Sequence, residues 1–264
     1  MARPTVPRNR DFEHLRQPHN GLCWWCGAIA TTSEHKYKRS DLKLLGGSGQ
    51  VHWGTDPSQP FLVRSTRKDP LVRFSKSLCA NCNNARSQPF DRAYDIFRDY
   101  VWANLDLLWY QDGLDMRAIY GPKWLEQEFN LARYFVKHFG CRLVDEGVPP
   151  PHELAQFLDG APSIPGVHLA LAVQEDRFGP CQAMRADGLD GRDLALAGFY
   201  AWTPRDRSRL DRVITAMYVS YVAVRFEWVV DGTVAHSSFF PYPMPLLNHF
   251  ESEGQLIFPP PKPD

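Results

Sequence analysis

The chain has 264 residues, 44% of them hydrophobic and 13% aromatic, and its 30 basic and 30 acidic side chains leave a formal net charge of zero. That apolar content is enough for a packed core and excludes wholesale disorder, and the length suits two domains. The charge is unevenly spread: residues 1–90 hold 14 Lys and Arg against 6 Asp and Glu, and residues 91–264 hold 16 against 24. The N-terminal part is therefore the one suited to a phosphate-bearing partner.

Residues 1–20 are rich in Pro, Arg and Asn and lack an apolar run, which predicts a flexible basic arm and no secretory leader. Two cysteine pairs follow, Cys23-Trp-Trp-Cys26 and Cys79-Ala-Asn-Cys82. Each Cys-x-x-Cys turn can aim two sulfurs at one ion, so together they supply the four thiolates of a tetrahedral structural zinc site. Trp24 and Trp25 are expected to pack against that centre rather than stack on bases. Four paired cysteines of six fit metal ligation in a reducing compartment better than a secreted disulfide framework.

Loop signals at 46–49 and 56–60 imply an insertion between the pairs, with a hairpin near 51–53. His52, a lone histidine beside a tryptophan, is a weaker ligand candidate than a plain surface or core residue. Residues 71–78 alternate weakly, as a strand entering the second knuckle would. A helix is expected after Cys82, with Pro89 separating it from a longer one whose Tyr94, Phe97, Val101, Leu105 and Leu108 share a face. Gly121-Pro122 opens another helix with Leu125, Phe129, Ala132, Val136 and Phe139 on one side, closed by Gly147 and the prolines at 149–151. A short helix over 152–158 ends at Asp159-Gly160.

Beyond this the period becomes two. Residues 167–173, 194–202 and 222–230 read as strands, and Asp231-Gly232 as a hairpin turn into 233–239. The C-terminal half thus reads as an antiparallel sheet with helices against it and no catalytic constellation, ending in a frayed proline tail at 259–263. The fold class is α+β, divided as an arm (1–20), a zinc-stapled unit (21–92), a helical segment (93–145) and an α+β domain of unknown role (146–264).

Between the cysteine pairs lies Ser33-Glu34-His35-Lys36, and directly after Cys82 come Asn83, Asn84 and Arg86. His35 titrates near neutrality when unperturbed, at about 6.5, so it can act as a general base. Over residues 20–92 this layout resembles the zinc-knuckle HNH endonucleases, in the variant where asparagine replaces the last histidine. The resemblance implies a strand-loop-strand-helix (ββα-metal) unit that hydrolyses phosphodiester bonds. In it Glu34 and Asn83 ligate a divalent ion, Asn84 competes for the latter role, Arg86 holds a phosphate, and zinc on Cys23, Cys26, Cys79 and Cys82 is structural. A Glu/Asn/water shell suits Mg²⁺ or Mn²⁺.

Double-stranded DNA is the expected substrate, with RNA open. The rival readings are a non-catalytic zinc module that binds nucleic acid or protein, and a thioredoxin-like redox pair, which leaves the second Cys-x-x-Cys unexplained. No stretch approaches the ~20 apolar residues of a membrane span, so a soluble, cytoplasmic protein is expected.

Overall fold

The computed structural model describes residues 12–46, 52–53, 61–62, 65, 69–230, 232, 240–250 and 256–257. The arm up to residue 11, the loop stretches 47–49 and 56–60, the hairpin return 233–239 and the proline tail lie outside them. Strand β1 (Thr32–His35) is followed by α1 (Arg39–Gly46), then by β2 (His52–Trp53) paired with β3 (Phe61–Leu62), the hairpin expected in the insertion. Strand β4 (Arg73–Leu78) then returns antiparallel to β1, with Thr32 opposite Leu78 and His35 opposite Arg73.

Directly after β4 the chain makes one π-helical turn, Asn81–Arg86, and enters α2 (Gln88–Ala103). Pro89 falls in the first turn of α2, where the missing N–H would have had no intrahelical partner. The face read from the sequence is buried at all five positions, Tyr94 to Leu108. Helix α3 (Met116–Tyr120) is capped by the Asp115 carboxylate, which accepts from the backbone of Arg117 and Ala118. It leads into α4 (Trp124–Asp145) and α5 (His152–Leu158).

The C-terminal part builds a seven-stranded sheet from β5 (Val167–Gln174), β6 (Leu194–Leu196), β7 (Tyr200–Trp202), β8 (Arg212–Val219), β9 (Val222–Val229), β10 (Asn248–Phe250) and β11 (Leu256–Ile257). The order is β11-β10-β5-β9-β8-β6, with β7 also on β8. Every pairing is antiparallel except β10 with β5. Helix α6 (Glu175–Ala186) follows β5.

The helices join the two parts. Tyr94 of α2 stacks on Tyr134 of α4 at 4.0 Å between ring centroids, and Phe139 of α4 meets Phe226 of β9 at 4.7 Å. The Tyr221 hydroxyl donates to the Leu105 carbonyl at 2.7 Å. One contiguous cluster of buried side chains runs from Phe12 through Cys23, Cys82, Tyr134 and Phe226 to Leu247, across the limits expected between segments.

Two expectations need correction. Residues 12–20 do not continue a loose arm, because Phe12 is fully buried 5.7 Å from the Phe199 ring and the Gln17 amide donates to Gly147. Arg16 there finds Glu13 and Glu146. Helix α4 does not bury a single face either. Leu125 is 45% exposed, while 14 of the 22 residues are buried, Glu128, Asn130, Lys137 and His138 among them. A helix covered on most sides carries polar groups inside, which a one-face pattern does not capture.

Glu128 anchors the segment 240–247. Its Oε1 accepts from the Tyr242 amide at 3.4 Å, whereas the buried Oε2 has no hydrogen-bond partner among the described residues. Burial pushes the carboxyl up to about 8. Because the folded state holds this proton more tightly than the unfolded chain, the contribution of Glu128 to stability should be full below about 4.5, fall as pH rises, and level off above about 8. Glu128→Gln removes that dependence. Thermal unfolding at half-unit steps from pH 6 to 9 should show the variant gaining on the wild type up to about pH 8; a pH-independent difference would contradict the assignment.

Candidate metal centre and adjoining polar site

The first knuckle closes because Gly27 adopts φ +76°, a left-handed conformation that favours glycine, and its amide returns to the Cys23 carbonyl at 2.8 Å. The second forms where β4 runs into the π-helical turn, which places Cys79 and Cys82 one turn apart. The four sulfurs lie within 4.8 Å of one another, and the Cys26 and Cys79 sulfurs are 3.6 Å apart. A tetrahedron with metal–sulfur bonds of about 2.3 Å has edges of about 3.8 Å, so the cluster has the dimensions of a four-thiolate metal site. The backbone N–H of Cys82 donates to the Cys79 sulfur at 3.4 Å, and this bond pulls the Cys79 thiol down to about 7, towards the thiolate that a metal requires.

Both tryptophans of the first knuckle are packing residues, as the sequence suggested. The Trp24 ring lies flat on Gly140 of α4, so close that a Cβ there would overlap it, and its indole N–H points to the Cys141 sulfur at 3.5 Å. Trp25 donates to Asp159 at 2.7 Å, stacks on Phe90, and carries the Arg86 guanidinium over its ring at 4.3 Å. Arg86 also points Nη1 at the Cys82 sulfur at 3.5 Å and forms an ion pair with Asp159. It therefore braces the cysteine cluster, and any phosphate would compete with Asp159 for it.

Asn83 is set against β1. Its Nδ2 donates to the Ser33 carbonyl at 3.4 Å, next to Glu34 and His35, and its buried Oδ1 has no hydrogen-bond partner among the described residues. Asn84 is instead exposed and folds back on the Ala80 carbonyl at 2.8 Å. His35 ends β1 half-buried, opposite Arg73, whose guanidinium donates to the same Ser33 carbonyl at 2.9 Å.

Glu34 turns inward to α4. Its Oε2 lies 3.2 Å from the Lys137 ammonium, which is 1% exposed and also reaches Ser87 Oγ at 3.3 Å and Asp91 Oδ1 at 3.4 Å. Ser87 in turn donates to the Asn83 carbonyl at 3.1 Å. Burial raises the Glu34 carboxyl above its ordinary range; it also disfavours the Lys137 ammonium, but the facing Glu34 and Asp91 carboxylates outweigh that and keep it charged. The next residue, His138, is driven down to about 3 by burial, so its neutral imidazole donates through Nε2 to the Lys36 carbonyl at 2.9 Å.

The structure thus gathers the four cysteines, and separately brings Glu34 and Asn83 to one strand–helix junction beside His35. Lys137, His138, Ser87 and Asp91 were not picked out from the sequence. They sit on helices whose patterns read as packing, and Lys137 and His138 lie about a hundred residues beyond β1. Comparison with family models, with curated proteins and with solved structures finds no match to this chain. Among the described residues no helix is long and apolar enough to cross a membrane.

Gly140→Ala forces Trp24 off α4 and should destabilise the protein by about 1–3 kcal/mol, the usual range for overpacking. Denaturant unfolding followed by tryptophan fluorescence would measure it, and an unchanged midpoint would show that the knuckle does not depend on this contact.

Proposed function

We propose that this chain is an HNH-type endonuclease that hydrolyses phosphodiester bonds in double-stranded DNA, with a structural zinc on Cys23, Cys26, Cys79 and Cys82. The observation that carries the reading is the buried, unpartnered Oδ1 of Asn83, held beside Glu34 and His35 at the junction of β1 and the π-helical turn. A buried amide oxygen left without a donor costs about 1–3 kcal/mol, and a cation is one group that would satisfy it. The antiparallel β1–β4 pair running into a helix matches the strand-loop-strand-helix order of such nucleases.

In this reading Asn83 Oδ1 and the Glu34 carboxylate hold Mg²⁺ or Mn²⁺, a donor set of hard oxygens suited to those ions. The bound ion supplies polarisation of the phosphate and relief of charge on the leaving oxygen. His35 in its neutral form takes the proton from the attacking water, a contribution worth typically 10²–10⁴ in rate. Arg86 is assigned to bracing the zinc rather than to substrate. The second reading, a zinc module that binds nucleic acid without cutting it, draws on Glu34 and Arg86 already having ionic partners in Lys137 and Asp159.

Supercoiled plasmid incubated with the purified protein and Mn²⁺ separates the two. Cleavage abolished by EDTA and lowered at least about 100-fold in His35→Ala, with gel-shift binding retained, is the expected result; undiminished cleavage by His35→Ala overturns the mechanism. Asn83→Ala should lose rate that extra Mn²⁺ partly restores, and Asn84→Ala should lose little.

The zinc assignment has its own check. A structural zinc is worth about 10–16 kcal/mol, at or above the roughly 5–15 kcal/mol that keeps a domain folded. Cys79→Ser should therefore unfold the region around the knuckles, read as lost zinc by elemental analysis and lost protection in hydrogen exchange. A native-like, zinc-free Cys79→Ser protein would refute it.

A further inference from the structure

We propose that Lys137 is a positioning residue for the metal-dependent site: from helix α4 its ammonium gathers Glu34 of β1 and Ser87 and Asp91 at the start of α2, and so fixes the strand that carries His35 against the helix that follows Asn83. The inference rests on the nuclease reading above. Three oxygens from two separate elements converge on one buried nitrogen at 3.2–3.4 Å. The neighbouring residue, His138, holds the Lys36 carbonyl at 2.9 Å, so α4 grips the chain on both sides of His35 through consecutive side chains. On the helix side the same ammonium reaches Asn83 through one intermediary, since Ser87 Oγ accepts from Lys137 and donates to the Asn83 carbonyl.

Packing alone is a poor reason for a lysine here. Buried ion pairs can often be exchanged for apolar side chains of similar volume without loss of stability, because desolvating the charges offsets their attraction. What an apolar side chain cannot do is fix the direction of a carboxylate. The ammonium lies 3.2 Å from Glu34 Oε2, and the carboxyl also takes a hydrogen bond from the His35 backbone, so its direction is set from α4 and from its own strand.

The test compares plasmid cleavage in Mn²⁺ by the wild type, Lys137→Met, Lys137→Ala and Asp91→Asn, with zinc content and gel-shift binding measured on each. Lys137→Met should retain zinc and bind DNA but lose about 100-fold in kcat, the scale of a displacement of about 1 Å in a reacting group. Asp91→Asn alters a partner on the solvent side and should lose about 10-fold, keeping a folded variant in hand if Lys137→Met does not fold. Adding propylammonium to Lys137→Ala should recover at least a tenth of the lost rate, which equal concentrations of tetramethylammonium should not, because only the former can donate to Glu34, Ser87 and Asp91. A purely structural lysine would instead lower zinc content and gel-shift binding together with the rate in Lys137→Met, whereas a positioning lysine lowers the rate alone. Wild-type kcat in both Lys137→Met and Asp91→Asn, or equal effects of the two amines, would overturn the proposal while leaving the nuclease reading intact. A wild type that never cuts would overturn that reading and this inference together.

Discussion

A lysine ammonium withdrawn from water must be met by acids and hydrogen-bond acceptors or it destabilises the fold by several kcal/mol. Lys137 sits in the middle of α4 with almost no exposure, so Glu34, Asp91 and Ser87 have to be where they are. That requirement fixes the distance between β1 and α2, and through α4 it ties both to the sheet, where Phe139 packs on Phe226. Helix α4 touches several of the other parts: α2 by Tyr134, β4 by the edge contact of His138 with Phe74, the first knuckle by Gly140, and Phe240 by Phe129.

The two polar centres divide the work of holding the N-terminal part together. The cysteine cluster brings the two knuckles together across a loop of more than fifty residues, and a metal held there would be an effective staple because it closes so long a loop. Arg86, Trp25 and Asp159 then bind the cluster to the end of α5. The Lys137 cage works at right angles to this in connectivity, joining strand and helix to a third element.

Much of this was legible from residues alone. The Cys-x-x-Cys spacing marked the cysteine cluster, the 3.6-residue period through Tyr94, Phe97 and Val101 marked α2 with Pro89 at its start, though Leu105 and Leu108 lie past its end at Ala103, and 152–158 gave α5 to the residue. The period-two runs gave β5 and β9. What escaped has physical reasons. Helix α6 contains Gly179-Pro180, which reads as a breaker, yet tertiary packing carries the helix through it. The residues 194–202 look continuous but split into β6 and β7, both pairing with β8. Strand β8 alternates too weakly in sequence to announce itself, because most of its residues are buried on both faces. The Lys137 cage was invisible because a single lysine in an apolar helix pattern looks like a surface residue until its partners, fifty and a hundred positions away, are placed beside it.

The chain order of these groups carries a consequence for how the molecule comes into being. Everything needed for the cysteine cluster is present once residue 82 has been synthesised, but Lys137 and His138 follow more than fifty residues later. At roughly 5–20 residues per second, a nascent chain spends several seconds with the knuckles able to close while Glu34 still faces water. A metal held by the cysteines would be bound before the clamp around His35 could form, and the contacts of Trp24 with Gly140 and of Trp25 with Asp159 would follow only when α4 and α5 have emerged.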